Sequence, residues 1–278
     1  MLRPGGDRIV DNSQGGAPSI EVRALCKQYG GREVLRSIDL AVMPGQVLGY
    51  LGANGAGKST TIRILTGLLG DFSGDVRVCG LDVRAEPLQV KRRIGYVPEN
   101  AQLYDALSAR EFFELIGRLH GLPDGLALHR AHEYLAAFGI EARIGSRLGS
   151  LSKGMRQKVL LSSALLHAPE IVFLDEPLSG LDVAATIMVK TLIRSLADRG
   201  RTVFYCSHMM DVVERVCDRI AILADGRIVA NGSFEELSAA RHGGSLEAIF
   251  AELTGSGGEE AAVGRILAAM DDGRGGPA

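Results

Sequence analysis

Apolar residues at Ile20, Val22, Val34, Ile38, Leu40 and Val42 fall largely on an alternating pattern, broken at Gly30-Gly31 and ended by Pro44-Gly45. A period of two predicts antiparallel strands. The alternation then stops: Val47 to Leu51 is one apolar run, a buried strand, and Ser59 to Leu65 reads as a helix. Another strand is expected at Val76 to Cys79. From Ser108 the spacing turns helical, because Ser108-x-x-Glu111 is a capping box and Phe112, Leu115, Ile116 and Leu119 recur on one face until Gly121 and Pro123 stop them. A second amphipathic stretch covers Ala131 to Phe138, and a third helix is expected from Ser152 to about Leu166. After Pro169 the chain alternates strand and helix through Ile171–Leu174, Val183–Leu196, Thr202–Cys206, Met209–Cys217 and Ile220–Leu223, the winding of a parallel sheet. Asp225-Gly226 marks a tight hairpin, and Ser233-x-x-Glu236 caps one more helix.

These elements give an α/β fold with a mainly parallel sheet, an N-terminal antiparallel β subdomain and an inserted α-helical subdomain at about residues 100–166. The main domain is expected over residues 19–255. Residues 1–18, rich in Gly, Asp, Asn, Ser and Pro, read as a flexible leader, and residues 256–278 as a loosely held tail. With 46% hydrophobic residues in 278, the chain has ample material for a core. A net charge of −2 leaves no electrostatic footprint for nucleic acid. The most apolar stretch, Val159 to Leu174, is interrupted by His167, Pro169 and Glu170, short of the roughly 20 apolar residues a bilayer span needs. Cys26, Cys79, Cys206 and Cys217 show no metal-ligand spacing and read as free thiols in a reducing cytoplasm.

The chemistry is concentrated at Gly52-Ala53-Asn54-Gly55-Ala56-Gly57-Lys58-Ser59-Thr60. Gly52, Gly55 and Gly57 let backbone N–H groups turn inward around a β-phosphate, Lys58 adds a charge at the β/γ oxygens, and Ser59 offers a hydroxyl to Mg²⁺. Asn54, Ala56 and Thr60 complete the loop. A strand before and a helix after make this a P-loop nucleoside triphosphatase core. Such a core needs an acidic partner, and Ile171-Val172-Phe173-Leu174-Asp175-Glu176 leaves two carboxylates at a strand end. Asp175 is expected to bind Mg²⁺, directly or through water, and Glu176 to polarise the attacking water. His208, just past another strand, is placed to hydrogen-bond a γ-phosphate and hold water and Glu176 in register.

Between these motifs lies Leu151-Ser152-Lys153-Gly154-Met155-Arg156-Gln157, which resembles the Leu-Ser-Gly-Gly-Gln signature of the ATP-binding cassette (ABC) ATPases. Tyr29 ahead of the phosphate loop, Glu99 after Gly95-Tyr96-Val97-Pro98, Ser179-Gly180-Leu181-Asp182 after Glu176, and His208 occur in the same order as in that family. The resemblance covers roughly Ser19 to Gly255. It implies ATP and Mg²⁺ as cofactors, with Glu99 joining Ser59 and Asp175 at the metal. It also implies a dimer, of identical chains or of closely related cassettes, in which Ser152, Lys153 and Gly154 face the γ-phosphate held by the other subunit. Taken alone, Ser152 is a helix N-cap. Tyr29 reads as a platform for adenine or as a strand aromatic, and Asp182 as a cross-subunit contact, a helix cap, or both.

Two departures sharpen the resemblance. Glu99 stands where most cassettes have Gln, and Met155 replaces a polar arm of the signature. Both resemble a branch, mostly of bacterial exporters, whose ATPase pairs with a separately encoded membrane permease; so does Ser245-Leu246-Glu247-Ala248-Ile249-Phe250. The implied protein is an ATPase subunit that dimerises around two Mg·ATP, powers an exporter, and sits in the cytoplasm against the inner face of the membrane. The alternative is a soluble ABC-type ATPase acting as an ATP-gated assembly switch.

Overall fold

The structure is a computed structural model that describes residues 16–100, 103–241, 244–255, 263, 265–267, 269 and 270. The expected leader up to residue 15, and most of the expected tail, lie outside the described residues.

The alternating segment folds as β1 (Ile20–Tyr29) and β2 (Arg32–Val42), an antiparallel hairpin turning at Gly30-Gly31. With β4 (Ser73–Val78) and the short β5 (Leu81–Asp82) they form a sheet ordered β2-β1-β4-β5. The larger sheet contains β3 (Val47–Gly52), β6 (Ile94–Val97), β7 (Ile171–Asp175), β8 (Thr202–Cys206), β9 (Arg219–Ala224) and β10 (Arg227–Gly232), ordered β10-β9-β3-β8-β7-β6. All its pairings are parallel except β9–β10, the hairpin at Asp225-Gly226.

Period two decides which face each side chain enters. Val47 and Leu51 of β3, Val172 and Leu174 of β7, and Val203 and Tyr205 of β8 join one core, while Leu48 and Tyr50, Ile171 and Phe173, and Phe204 and Cys206 join another. The second core lies under the small sheet and holds the aromatic row Tyr50–Phe204–Phe173, with ring centroids 5.1 and 5.4 Å apart. Helix α1 (Lys58–Leu65) and α2 (Pro87–Arg93) pack on that side. The first core is covered by α3 (Ala109–Leu119), α4 (Asp124–Ala137), α5 (Lys153–Leu165), α6 (Val183–Asp198), α7 (Met210–Val216), α8 (Phe234–Ala239) and α9 (Leu246–Thr254).

Both expected capping boxes form, with Ser108 and Ser233 accepting from Glu111 N and Glu236 N. Several elements differ from the sequence reading. α2 and β6 were not anticipated as elements, since neither carries a side-chain cap or a run long enough to show a period. α4 starts at Asp124 rather than near Ala131, Pro123 serving as its N-cap residue instead of only ending α3. The expected strand at Val76 to Cys79 starts earlier and stops at Val78, because Cys79 turns into the left-handed region at φ 53°.

Where α3 and α5 end, His120 and His167 stack with ring centroids 3.6 Å apart and planes within 14°. His167 Nε2 donates to the carbonyl of Ile94 at 2.9 Å, and the Nδ1 atoms of both rings are buried with no hydrogen-bond partner among the described residues. Burial, and then the neighbouring His120, pushes His167 from 6.5 down to about 4. A base whose folded pKa lies below its unfolded value stays neutral in the fold, so acid favours the unfolded chain. This contribution is complete above pH 6.5 and is lost as the pH falls towards about 4. His167→Phe, which keeps a ring in the stack, is expected to remove about 2–3 kcal/mol of the wild-type loss of stability across that window. Urea unfolding of both proteins at a series of pH values measures the difference; parallel curves would refute the assignment.

Candidate active site

The segment between β3 and α1 wraps back on the sheet. Gly57 holds φ 115°, and a Cβ there would meet Leu35 Cδ2 at 2.7 Å and the Val34 carbonyl at 3.1 Å, so the turn excludes any side chain. Helices α3, α5, α6, α8 and α9 are capped by the oxygens of Ser108, Ser152, Asp182, Ser233 and Ser245. α1 has no side-chain cap, which leaves its first N–H groups and its positive dipole end to an anion. The Lys58 ammonium lies along the same loop, donating to the carbonyls of Gly52 and Ala53.

Gly52, Asn54, Gly55, Gly57, Lys58, Ser59 and Thr60 line a cleft of about 890 Å³, together with Tyr29, Glu99, Asp175, Glu176 and His208. Ala56 does not face it, being buried behind the loop. The parallel register explains the convergence: Asp175 pairs with Cys206, so β7 and β8 end level, and Glu176 and His208 emerge side by side. The His208 backbone N–H donates to Glu176 Oε1 at 2.9 Å, and Ser207 Oγ to Oε2 at 3.2 Å. His208 Nδ1 lies 2.9 Å from the same Oε1, on a side chain 82% exposed against 14% for Glu176, so the imidazole is the movable half of the pair. Asp175 is buried, and burial together with the negative charges of Glu99 and Glu176 raises it to about 6.

Ser152, Lys153, Gly154 and Asp182 are not in this cleft. They gather elsewhere: Ser152 caps α5, Lys153 Nζ donates to Ser179 Oγ at 3.0 Å, and Lys158 Nζ donates to Asp182 Oδ2 at 2.8 Å. Asp182 also accepts from Ala185 N as the cap of α6, and the Lys158 hydrogen bond and this backbone donor hold it below the usual carboxylate range. A Cβ on Gly154 would stand 2.6 Å from the Gly180 carbonyl, so the signature backbone lies against the segment that follows Glu176.

The family model described as ABC transporter matches residues 35–179. This chain belongs to the ABC transporter family. It is similar to the linearmycin resistance ATP-binding protein LnrL of Bacillus subtilis (strain 168), 35% identical over 242 residues, 87% of this chain and 76% of that protein. It is also similar to the daunorubicin/doxorubicin resistance ATP-binding protein DrrA of Streptomyces peucetius, 38% identical over 219 residues, which cover 79% of this chain and 66% of that relative, just under two thirds of its length. The solved structure of an ATP binding subunit of an ABC transporter matches with a TM-score of 0.80 at 31% identity, over 84% of this chain and 98% of that one. The protein is therefore an ABC transporter ATP-binding subunit and an ATPase, built on the P-loop α/β fold. Among the described residues no helix is long and apolar enough to cross a membrane.

The donor set suits Mg²⁺. No cluster of three His, Cys, Asp or Glu side chains forms a protein-only metal cage among the described residues. What converges is the Ser59 hydroxyl with Asp175 and Glu99, a sparse oxygen set of the kind Mg²⁺ completes with phosphate and water. The carboxylate charge that raises Asp175 is charge a cation would relieve.

Sequence reasoning missed Ser207, Met210 and Phe250 as lining residues. Ser207 was legible only as the residue before His208, and Phe250 enters from α9, far along the chain.

In the metal-free protein, Asp175 is a stability liability. Its pKa of about 6 in the fold, against 3.8 for a free aspartate, means the fold resists the charged form, so stability rises as pH falls between these values. Asp175→Asn is expected to raise unfolding free energy by about 1–3 kcal/mol at pH 8, with the gain fading below pH 4. Denaturant titrations at both pH values check this, and a destabilised variant at pH 8 would contradict it.

Proposed function

We propose that two copies of this chain, or one copy and a closely related cassette, close around two Mg·ATP and drive export through a separately encoded membrane permease. One observation carries the reading: the cleft with the phosphate loop, Asp175, Glu176 and His208 lacks Ser152, Lys153, Gly154 and Asp182, although the signature caps a helix whose N-terminus suits an anion. A second subunit supplies what each cleft lacks. The names of LnrL and DrrA, both resistance proteins, support export as the direction.

In this cycle Lys58 and the N–H groups of α1 hold the β- and γ-phosphate oxygens. Tyr29 takes the base. Ser59, Asp175 and Glu99 hold Mg²⁺, which when bound neutralises phosphate charge. Glu176 Oε1 accepts a proton from the attacking water as its oxygen bonds the γ-phosphorus and the bond to the β-phosphate oxygen breaks. His208 swings between Glu176 and the γ-phosphate, a motion its exposure permits. Loss of the bridging phosphate releases the two halves.

The permease is proposed to dock at the seam between the large sheet and the helical insertion. Leu68 and Leu119 are exposed there, and Leu68 and Ile116 share a hollow with Tyr96, shortly before Glu99. Docked to a permease in this way, the chain would lie against the inner face of the membrane.

Glu176→Gln is expected to bind ATP normally, to lose about 10²–10⁴-fold in turnover and to accumulate as a dimer with Mg·ATP. Sedimentation beside steady-state ATPase assays tests both; a monomer at saturating ATP with full turnover would overturn the reading. Glu99→Ala is expected to weaken the Mg²⁺ dependence of hydrolysis and to reduce transport more than ATP binding. ATPase activity against Mg²⁺ and transport in reconstituted vesicles separate these effects, and a variant equal to wild type in both would leave Glu99 without a role.

A further inference from the structure

Lys27 lies two residues before Tyr29 on β1, and its side chain is only 4% exposed. A buried ammonium is costly unless its charge and donors are met. Here one donor meets Asp71 Oδ2 at 2.7 Å, and the nitrogen stands 4.6 Å from the centroid of the Tyr29 ring. Asp71 is itself at the surface, 94% exposed, so the buried lysine stem carries its head to a carboxylate at the surface. The hydrogen bond to Lys27 holds Asp71 below the usual carboxylate range.

Tyr29 is 45% exposed and lines the phosphate cleft. A cation over one face of a phenol ring is attracted by its quadrupole and fixes the ring plane. It also withdraws electron density from the other face, which favours offset stacking with an electron-rich base. Neither effect touches the phosphates, which are gripped by Lys58 and the uncapped end of α1.

We propose that Lys27 is a positioning residue for the nucleotide base: anchored by Asp71, its ammonium holds the Tyr29 ring as a platform for a purine. This rests on the proposed role of Tyr29 in taking the base. It assigns to Lys27 a share of base affinity, with no share in phosphate binding or hydrolysis.

The test compares affinity for ATP with affinity for inorganic tripolyphosphate, which has the phosphates and no base. Lys27→Met keeps the length of the stem, removes the charge and leaves Asp71 solvated. It is expected to weaken ATP binding by about three- to tenfold while tripolyphosphate binding and saturated turnover stay unchanged. Lys27→Arg, which keeps a cation for the ring, is expected to restore most of the difference. In a Tyr29→Ala background Lys27→Met is expected to add nothing. Should Lys27→Met fail to fold, Lys27→Gln carries the same expectations. Equal losses for ATP and tripolyphosphate would overturn the proposal, as would an unchanged ATP affinity in a protein where Tyr29→Ala weakens it. If Tyr29→Ala itself leaves the two affinities in their wild-type ratio, the reading of Tyr29 fails, and this proposal with it.

Discussion

Strand β3 bonds to β8 on one side and to β9 on the other, and from Val47 to Leu51 its side chains are buried on both faces. A strand so placed has no room for polar chemistry along its length, so everything hydrophilic is deferred to its end. Because β7 and β8 run parallel to it, their deferred polar residues arrive at the same edge: Asp175 and Glu176 from one, Ser207 and His208 from the other. The phosphate loop turns back against this edge, where Leu35 and the Val34 carbonyl leave space only for a glycine at position 57. The small sheet thereby helps shape a loop it does not belong to, and through Tyr29 it also forms one wall of the cleft.

What the sequence made legible follows from how local each signal is. Ser108 and Ser233 announce their helices because the cap and its Glu partner are three residues apart, and the Asp225-Gly226 hairpin is equally self-contained. The phosphate loop is contiguous, so its residues were identifiable before any folding. α2 and β6 were not, since a short helix without a side-chain cap and a four-residue strand containing Gly95 hold their conformation through their neighbours. At the site, the place of Ser207 and Phe250 in the cleft was not readable for the same reason: only the register of β7 with β8, and the packing of α9 against the first core, bring them there. The Lys27–Tyr29 contact has sequence spacing for a shared strand face, but its anchor, Asp71, comes from beyond α1.

The site is also where the fold works against its own stability. Asp175 is buried near two other carboxylates, and its charged form is disfavoured. Glu176 holds φ 50°, a left-handed backbone that costs a non-glycine residue of order 1 kcal/mol. Both features hold negative charge and acceptor oxygens at the cleft. The surrounding sheet supplies the burial that holds them there, an arrangement in which stability elsewhere offsets strain at the cleft.

The segment from Glu176 to Asp182 joins the cleft to the signature cluster, and its contacts make the link physical. Glu176 is fixed at one end by His208 and Ser207. The next residue, Pro177, has its carbonyl held by the buried Gln157 side chain of α5 at 2.9 Å. Ser179 then accepts from Lys153, Gly180 lies against Gly154, and Asp182 is paired with Lys158 while capping α6. Four contacts thus attach the stretch after the candidate base to the first two turns of the signature helix. A helix so attached cannot shift without straining the backbone that carries Glu176, and the converse holds equally, since packed and hydrogen-bonded elements move as units. If the signature of one subunit serves the phosphate of another, this stretch is a covalent and hydrogen-bonded route by which the state of one cleft reaches its neighbour. Its chemistry then favours alternation between two arrangements over gradual adjustment, because a buried amide such as Gln157 either keeps its carbonyl partner or loses it.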